Sequence, residues 1–160
     1  MDEAKALNMI AAEERLHDAL ARQLPATGPP PGLLKTTQSF HASLGSGGTT
    51  LHLARIAALD AAVCTILGAL LCAGAPLSTH RHAAPVLHRI RRNEVRHVRI
   101  ARAIVARRGA GVSVRDAAAA TREMLAQIIM PLSDALEVLA VDPRVLDRRL
   151  RRLPEGLLRP

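Results

Sequence analysis

Residues 89–108 read RIRRNEVRHVRIARAIVARR. Stepped by three and four, this region places Ala83, Leu87, Ile90, Glu94, His97, Ala101 and Ile104 on one stripe. The arginines at 89, 92, 96, 99 and 102 fall on the opposite face. The pattern predicts a helix over 83–108, closed by the GAG at 109–111. Its arginine coat is expected to be solvated, while Glu94 and His97 sit in the middle of its apolar stripe. An unpaired buried carboxylate costs several kcal/mol or must be protonated. Something has to satisfy this one.

Working outward, the neighbouring segments are helical too. Residues 3–24 form a first helical segment, stopped by Pro25. A second runs from about Thr50 to Cys72 and ends in AGAP; the seventeen residues after Asp60, 61–77, carry no charge. That run is just short of a membrane span, and a central buried helix is expected instead. After 83–108, Ser113 is expected to cap a fourth helix that breaks near Pro131. Asp142 and Pro143 then stand in N-cap and first-turn positions for a short last helix, DPRVLDRRLRRL. Between the first and second helices, residues 25–50 are rich in Pro, Gly, Ser and Thr and read as a long connection. No alternation of period two persists, so no strands are expected. The fold class is all-α, a single domain over 1–160.

Composition narrows the partners. With 49% hydrophobic residues among 160, the chain can bury a core, and Phe40 is its only aromatic residue. Such a core is built from Ala, Leu, Ile and Val, which suits closely packed helices. Stacking platforms for single-stranded nucleic acid need aromatics, so nucleic acid is not an expected partner despite the net charge of +8. The basic DRRLRRL at 147–153 offers a salt-sensitive contact for an anion. His80, His82 and His88 read as solvated. Cys64 and Cys72 read as reduced thiols, Cys64 sharing a face with Asp60. The acidic start MDEAKALNMI does not resemble a signal peptide. A cytoplasmic, non-membrane protein is the expectation.

The inward carboxylates recur on other helices. In the first helix Ala6, Ile10, Glu13, His17, Leu20 and Leu24 make a stripe. Glu14, which forms Glu-x-x-His with His17, lies toward its edge. In the second, Asp60 has Ile56, Ala57, Val63 and Cys64 as helical neighbours. The fourth helix offers none, because Glu123 and Asp134 point away from its apolar stripe. Glu and His three apart on a helix face one way and can reach a single ion, and carboxylates from other helices can bridge to a second. The competing reading is an internal network in which His17 and His97 answer the carboxylates without metal.

The segments LHLARIAALDAAVCTILGALLCAGAP and VLHRIRRNEVRHVRIARAIVARRG together resemble a helical hairpin of the ferritin-like superfamily. NEVRHVRIA is similar to its Glu-x-x-His helix, Asp60 takes the place usually held by Glu, and EERLH would be the other Glu-x-x-His. The likeness covers 51–108 well and 3–24 loosely. It implies a ferritin-like bundle of four main helices plus a short C-terminal one. It also implies one or two ions of iron or manganese, held by Glu13 or Glu14, His17, Asp60, Glu94 and His97. An oxidoreductase using dioxygen on a small-molecule substrate follows from the resemblance, and a homodimer is compatible with it. The chain departs from the family in lacking a fourth-helix carboxylate and any tyrosine. The alternative is a degenerate bundle without catalysis, serving interaction or assembly.

Overall fold

The computed structural model describes residues 2–24, 28, 30, 32–109 and 111–158, and these are helical with no strand among them. The helices are α1 (Glu3–Ala21), α2 (Leu33–Leu44), α3 (Thr49–Leu70), α4 (Ala83–Arg108), α5 (Val112–Ile129), α6 (Ser133–Val138) and α7 (Pro143–Arg151). The all-α class holds, and the boundaries of α3 and α4 fall within two residues of expectation.

Helix α3 is the axis of the molecule. It packs most extensively against α4 on one side and α5 on the other, while α1 lies on α4 and α7 closes over α5. Paired positions give the directions. Asp60 lies beside Glu94 and His97 while Cys64, one turn later, meets the Arg91 carbonyl, so α3 and α4 run antiparallel. Glu3 at the start of α1 pairs with Arg107 and Arg108 at the end of α4, so these are antiparallel as well. Ala54 clusters with Val114 and Ala118, and Ala62 with Leu125 and Ala126, so α5 runs parallel to α3.

The physical basis of the α3–α5 contact is small side chains. Ala54, Ala58 and Ala62 recur every four residues, and Ala118 and Ala126 face them, all with no solvent exposure. Short side chains let the backbones approach and gain dispersion along the whole contact. Helix α3 is long and apolar enough to cross a membrane by length and composition; here its alanine ridge is covered by α5.

Two expectations are corrected. The connection at 25–50 contains α2, whose Phe40 and Leu44 are buried and whose Leu33 packs on the same cluster. Its Ser and Thr read as loop formers, yet Thr36, Thr37 and Ser43 turn their hydroxyls back to carbonyls three or four residues earlier. Residues 25–27, 29 and 31 of that stretch lie outside the described residues. Ser113 does not cap α5 either. Gly111 is the N-cap, and its carbonyl accepts from the amides of Val114 and Arg115, which starts the helix two residues early. Asp142 does cap α7, accepting from the Arg144 and Val145 amides at 2.8 and 3.1 Å. The break at Pro131 is a 3-10 turn, Met130–Leu132.

Candidate metal centre

The antiparallel pairs α1–α4 and α3–α4 bring the polar residues of three helices to one level. Glu94 and His97 project from the middle of α4 with 5% and 0% exposure, and Asp60 and His17 are buried beside them at 6% and 7%. Two overlapping groups result. Glu14, His17 and Glu94 each offer a ligating atom within 4.8 Å of the others, and so do Asp60, Glu94 and His97. Glu94 belongs to both. The His17 and His97 rings stack with centroids 5.7 Å apart.

The atoms that face this centre are the ones without hydrogen bonds. Among the described residues, the buried side-chain polar atoms lacking any hydrogen-bond partner are His17 Nδ1, His97 Nδ1, Asp60 Oδ2 and Glu94 Oε2. They are not far from carboxylate oxygens. His17 Nδ1 lies 3.1 Å from Glu94 Oε1, and His97 Nδ1 lies 2.9 Å from Glu14 Oε1, but neither approach is aligned as a hydrogen bond. Ligating atoms this close that make no hydrogen bond to one another are an arrangement a cation can satisfy.

The far sides of both rings are held. His97 Nε2 donates to Glu13 Oε2 at 2.8 Å, and Glu13 is itself paired with Arg96. Asn93 Nδ2, whose Oδ1 accepts from Arg96, donates to His17 Nε2 at 3.2 Å, which leaves the His17 ring proton on Nδ1, so ligation through Nδ1 requires His17 to shift that proton or the amide to turn over. For His97, donation from Nε2 to Glu13 leaves Nδ1 as the nitrogen that faces the centre, which is how a ligating histidine is oriented. Of the two adjacent glutamates, Glu14 therefore joins the ligand groups. Glu13 instead orients His97. Glu14 is half-exposed, and it connects the buried centre with solvent.

Electrostatics follow from this crowding. Burial, then the charges of Glu94 and Glu14, push the Asp60 carboxyl up to about 8. Burial opposes charge on His97 as well, but contacts with Glu14, Glu94 and Glu13 outweigh it and raise the imidazole to about 10. Arg96, through its hydrogen bond, holds Glu13 below the usual carboxylate range. Without a cation the cluster therefore keeps a proton on Asp60 and a positive charge on His97. Cys64, one turn beyond Asp60, is pushed up to about 11, chiefly by burial, and stays a thiol.

Sequence reasoning identified the six residues Glu13, Glu14, His17, Asp60, Glu94 and His97, and the structure brings all six together. It missed Asn93. The signal was present, since Asn93 precedes Glu94 and stands four residues before His97, on the edge of the same stripe. It also missed Arg122, which is 1% exposed on α5; a charge among the alanines and Thr121 was the only hint. Glu123 lies at the surface and pairs with Arg151, so α5 brings no carboxylate to the centre. No family model, curated protein or solved structure matches this chain.

Proposed function

We propose that the chain is a divergent ferritin-like metalloprotein that holds one or two iron or manganese ions between α1, α3 and α4, and acts as an oxidoreductase using dioxygen. One observation carries the reading. Every buried side-chain polar atom left without a hydrogen bond among the described residues belongs to a residue of the two ligand groups. Two imidazole nitrogens with several carboxylates suit iron or manganese.

In this reading Glu14, His17, Asp60, Glu94 and His97 are the ligands, with Glu94 common to both groups. A bound iron or manganese would supply redox change and an open position for dioxygen. The chain's own residues do the rest. Loading displaces the Asp60 proton and the Nδ1 proton of His97, because only the deprotonated forms ligate. Glu13 keeps the His97 ring from turning. The Arg96 guanidinium keeps Glu13 ionised as an acceptor for His97. Half-exposed Glu14 can exchange protons with solvent.

The second reading, a bundle without catalysis, draws on the missing α5 carboxylate. There the imidazolium of His97, set among Glu13, Glu14 and Glu94, is an internal ion network and nothing more. Elemental analysis of protein purified without chelator separates the two, followed by melting with and without added Fe(II) or Mn(II). The metal reading expects bound iron or manganese and a melting temperature that rises with free ion as RT ln(1 + [L]/Kd). It also expects Asp60→Asn to lower metal content while the chelated variant melts close to wild type, because Asp60 already holds a proton there. Metal-free wild type indifferent to both ions would leave the network reading standing.

A further inference from the structure

One turn along α3 and α4 from the candidate centre lies a surface cleft of about 580 Å³. Arg91 of α4, Arg122 of α5, Arg149 of α7 and Arg152 beyond it line this cleft, and no carboxylate does. The chain's other arginine ion pairs involve Arg22, Arg96, Arg107, Arg108 and Arg151. Of the cleft arginines, Arg152 alone has an acidic partner, Glu155 at 3.1 Å. Among the described residues Arg91, Arg122 and Arg149 stand without a counter-charge.

Arg122 is the decisive member. Its Nε and Nη2 donate to the carbonyls of Leu150 and Arg149 at 2.7 Å, and its Nη1 to Ala58 at 3.3 Å. These bonds fix the guanidinium and tie the end of α7 to α3. They engage three of its five N–H groups. The partial negative charge of a helix C-terminus offsets only about half of one positive charge, and the last turn of α7 adds Arg148, Arg149 and Arg151. Arg91 lies over Gly68 of α3, where a Cβ would come within 3.7 Å of its Nε. That is ordinary van der Waals contact, so an alanine would fit, and a longer side chain would extend into the space beside the guanidinium. The α3 side of the cleft carries no competing anion: Thr65 spends its hydroxyl on the Ala61 carbonyl.

We propose that this cleft binds a small molecule through a phosphate-type oxyanion, gripped by Arg91 and Arg149 over the fixed guanidinium of Arg122. Guanidinium forks match the oxygen spacing of phosphate and bind it through paired, charge-assisted hydrogen bonds. Three uncompensated charges call for a dianion or a polyanion rather than a single carboxylate. The cleft is far larger than a bare phosphate and lies in the size range of small-molecule sites. The site stands whether or not α1, α3 and α4 hold a metal.

Titration calorimetry with inorganic diphosphate and with inorganic phosphate, at constant ionic strength against sodium chloride, tests the site. Diphosphate is expected to bind more tightly than phosphate, with no heat from added chloride. Arg91→Gln and Arg149→Gln should each weaken diphosphate about tenfold or more, the size of one lost charge-assisted contact. Arg89→Gln, on the coat of α4, should leave binding unchanged. Circular dichroism confirms folding of each variant. Gly68→Leu, which crowds Arg91 without removing charge, should weaken diphosphate too. Equal response to diphosphate and chloride overturns the proposal, as does an Arg89→Gln loss matching that of Arg91→Gln. So does duplex DNA binding that depends on Arg91 and Arg149 but is not displaced by diphosphate.

Discussion

The two faces of α3 solve opposite problems. Toward α5 the helix presents Ala54, Ala58 and Ala62, and the contact is close-packed by small side chains, with Arg122 as its one buried charge, bonded to the Ala58 carbonyl. Toward α4 it presents Asp60, and the contact gathers charge that packing alone would reject. Residues only two positions apart, Ala58 and Asp60, are both buried and answer to different physics. One interface is stabilised by exclusion of solvent. The other is stable only while its charges are mutually compensated by protons or by an ion.

The largest expected effect breaks the charged face. In chelated protein Glu94→Ala leaves the His97 imidazolium and its surroundings unbalanced, and should cost about 3–5 kcal/mol, the penalty for breaking a buried pair. Chemical denaturation with chelator present measures it. A loss below about 1 kcal/mol, typical of an exposed pair, would show that the α3–α4 face is not held by charge balance.

The same face predicts a pH dependence. Asp60 is raised from 3.8 to about 8, and His97 from 6.5 to about 10. Both groups hold their protons more tightly folded than unfolded, so stability falls as pH rises through these windows. Chelated protein should lose on the order of several kcal/mol between pH 5 and pH 9. Because a cation replaces both protons, metal-loaded protein should lose much less over that range, or gain. Melting curves across pH with chelator and with Mn(II) check the sign, and a chelated protein that stabilises steadily toward pH 9 would contradict it.

The packed face gives a smaller effect. Ala58→Leu overfills the α3–α5 contact and should cost about 1–3 kcal/mol, with the metal content of the folded protein unchanged. Metal loss at full folding would mean the two faces are coupled. Smallest is Ala140, which holds φ 57° after α6. Ala140→Gly relieves a left-handed conformation worth about 1 kcal/mol, so melting should rise slightly and leave the centre untouched.

Much of this architecture was written locally. The positions of α3 and α4, the cap at Asp142, the break at Pro131 and the inward direction of Glu94, His97, His17 and Asp60 follow from 3.6-residue periodicity and from turn chemistry. Periodicity says which way a side chain points from its own helix. It cannot say which helix it meets. Only tertiary structure decided that Glu14 faces the two histidines while Glu13 backs His97, because both glutamates lie near the same stripe and the choice depends on the rotation of α1 against α4. Helix α2 was hidden for a related reason: its Ser and Thr favour loops in isolation, and burial of Phe40 and Leu44 against the core overrides that preference. The buried Arg122 was invisible for the strongest reason of all. An arginine in a helix is ordinary, and its partners are backbone carbonyls on two other helices, groups that every sequence has and no sequence marks.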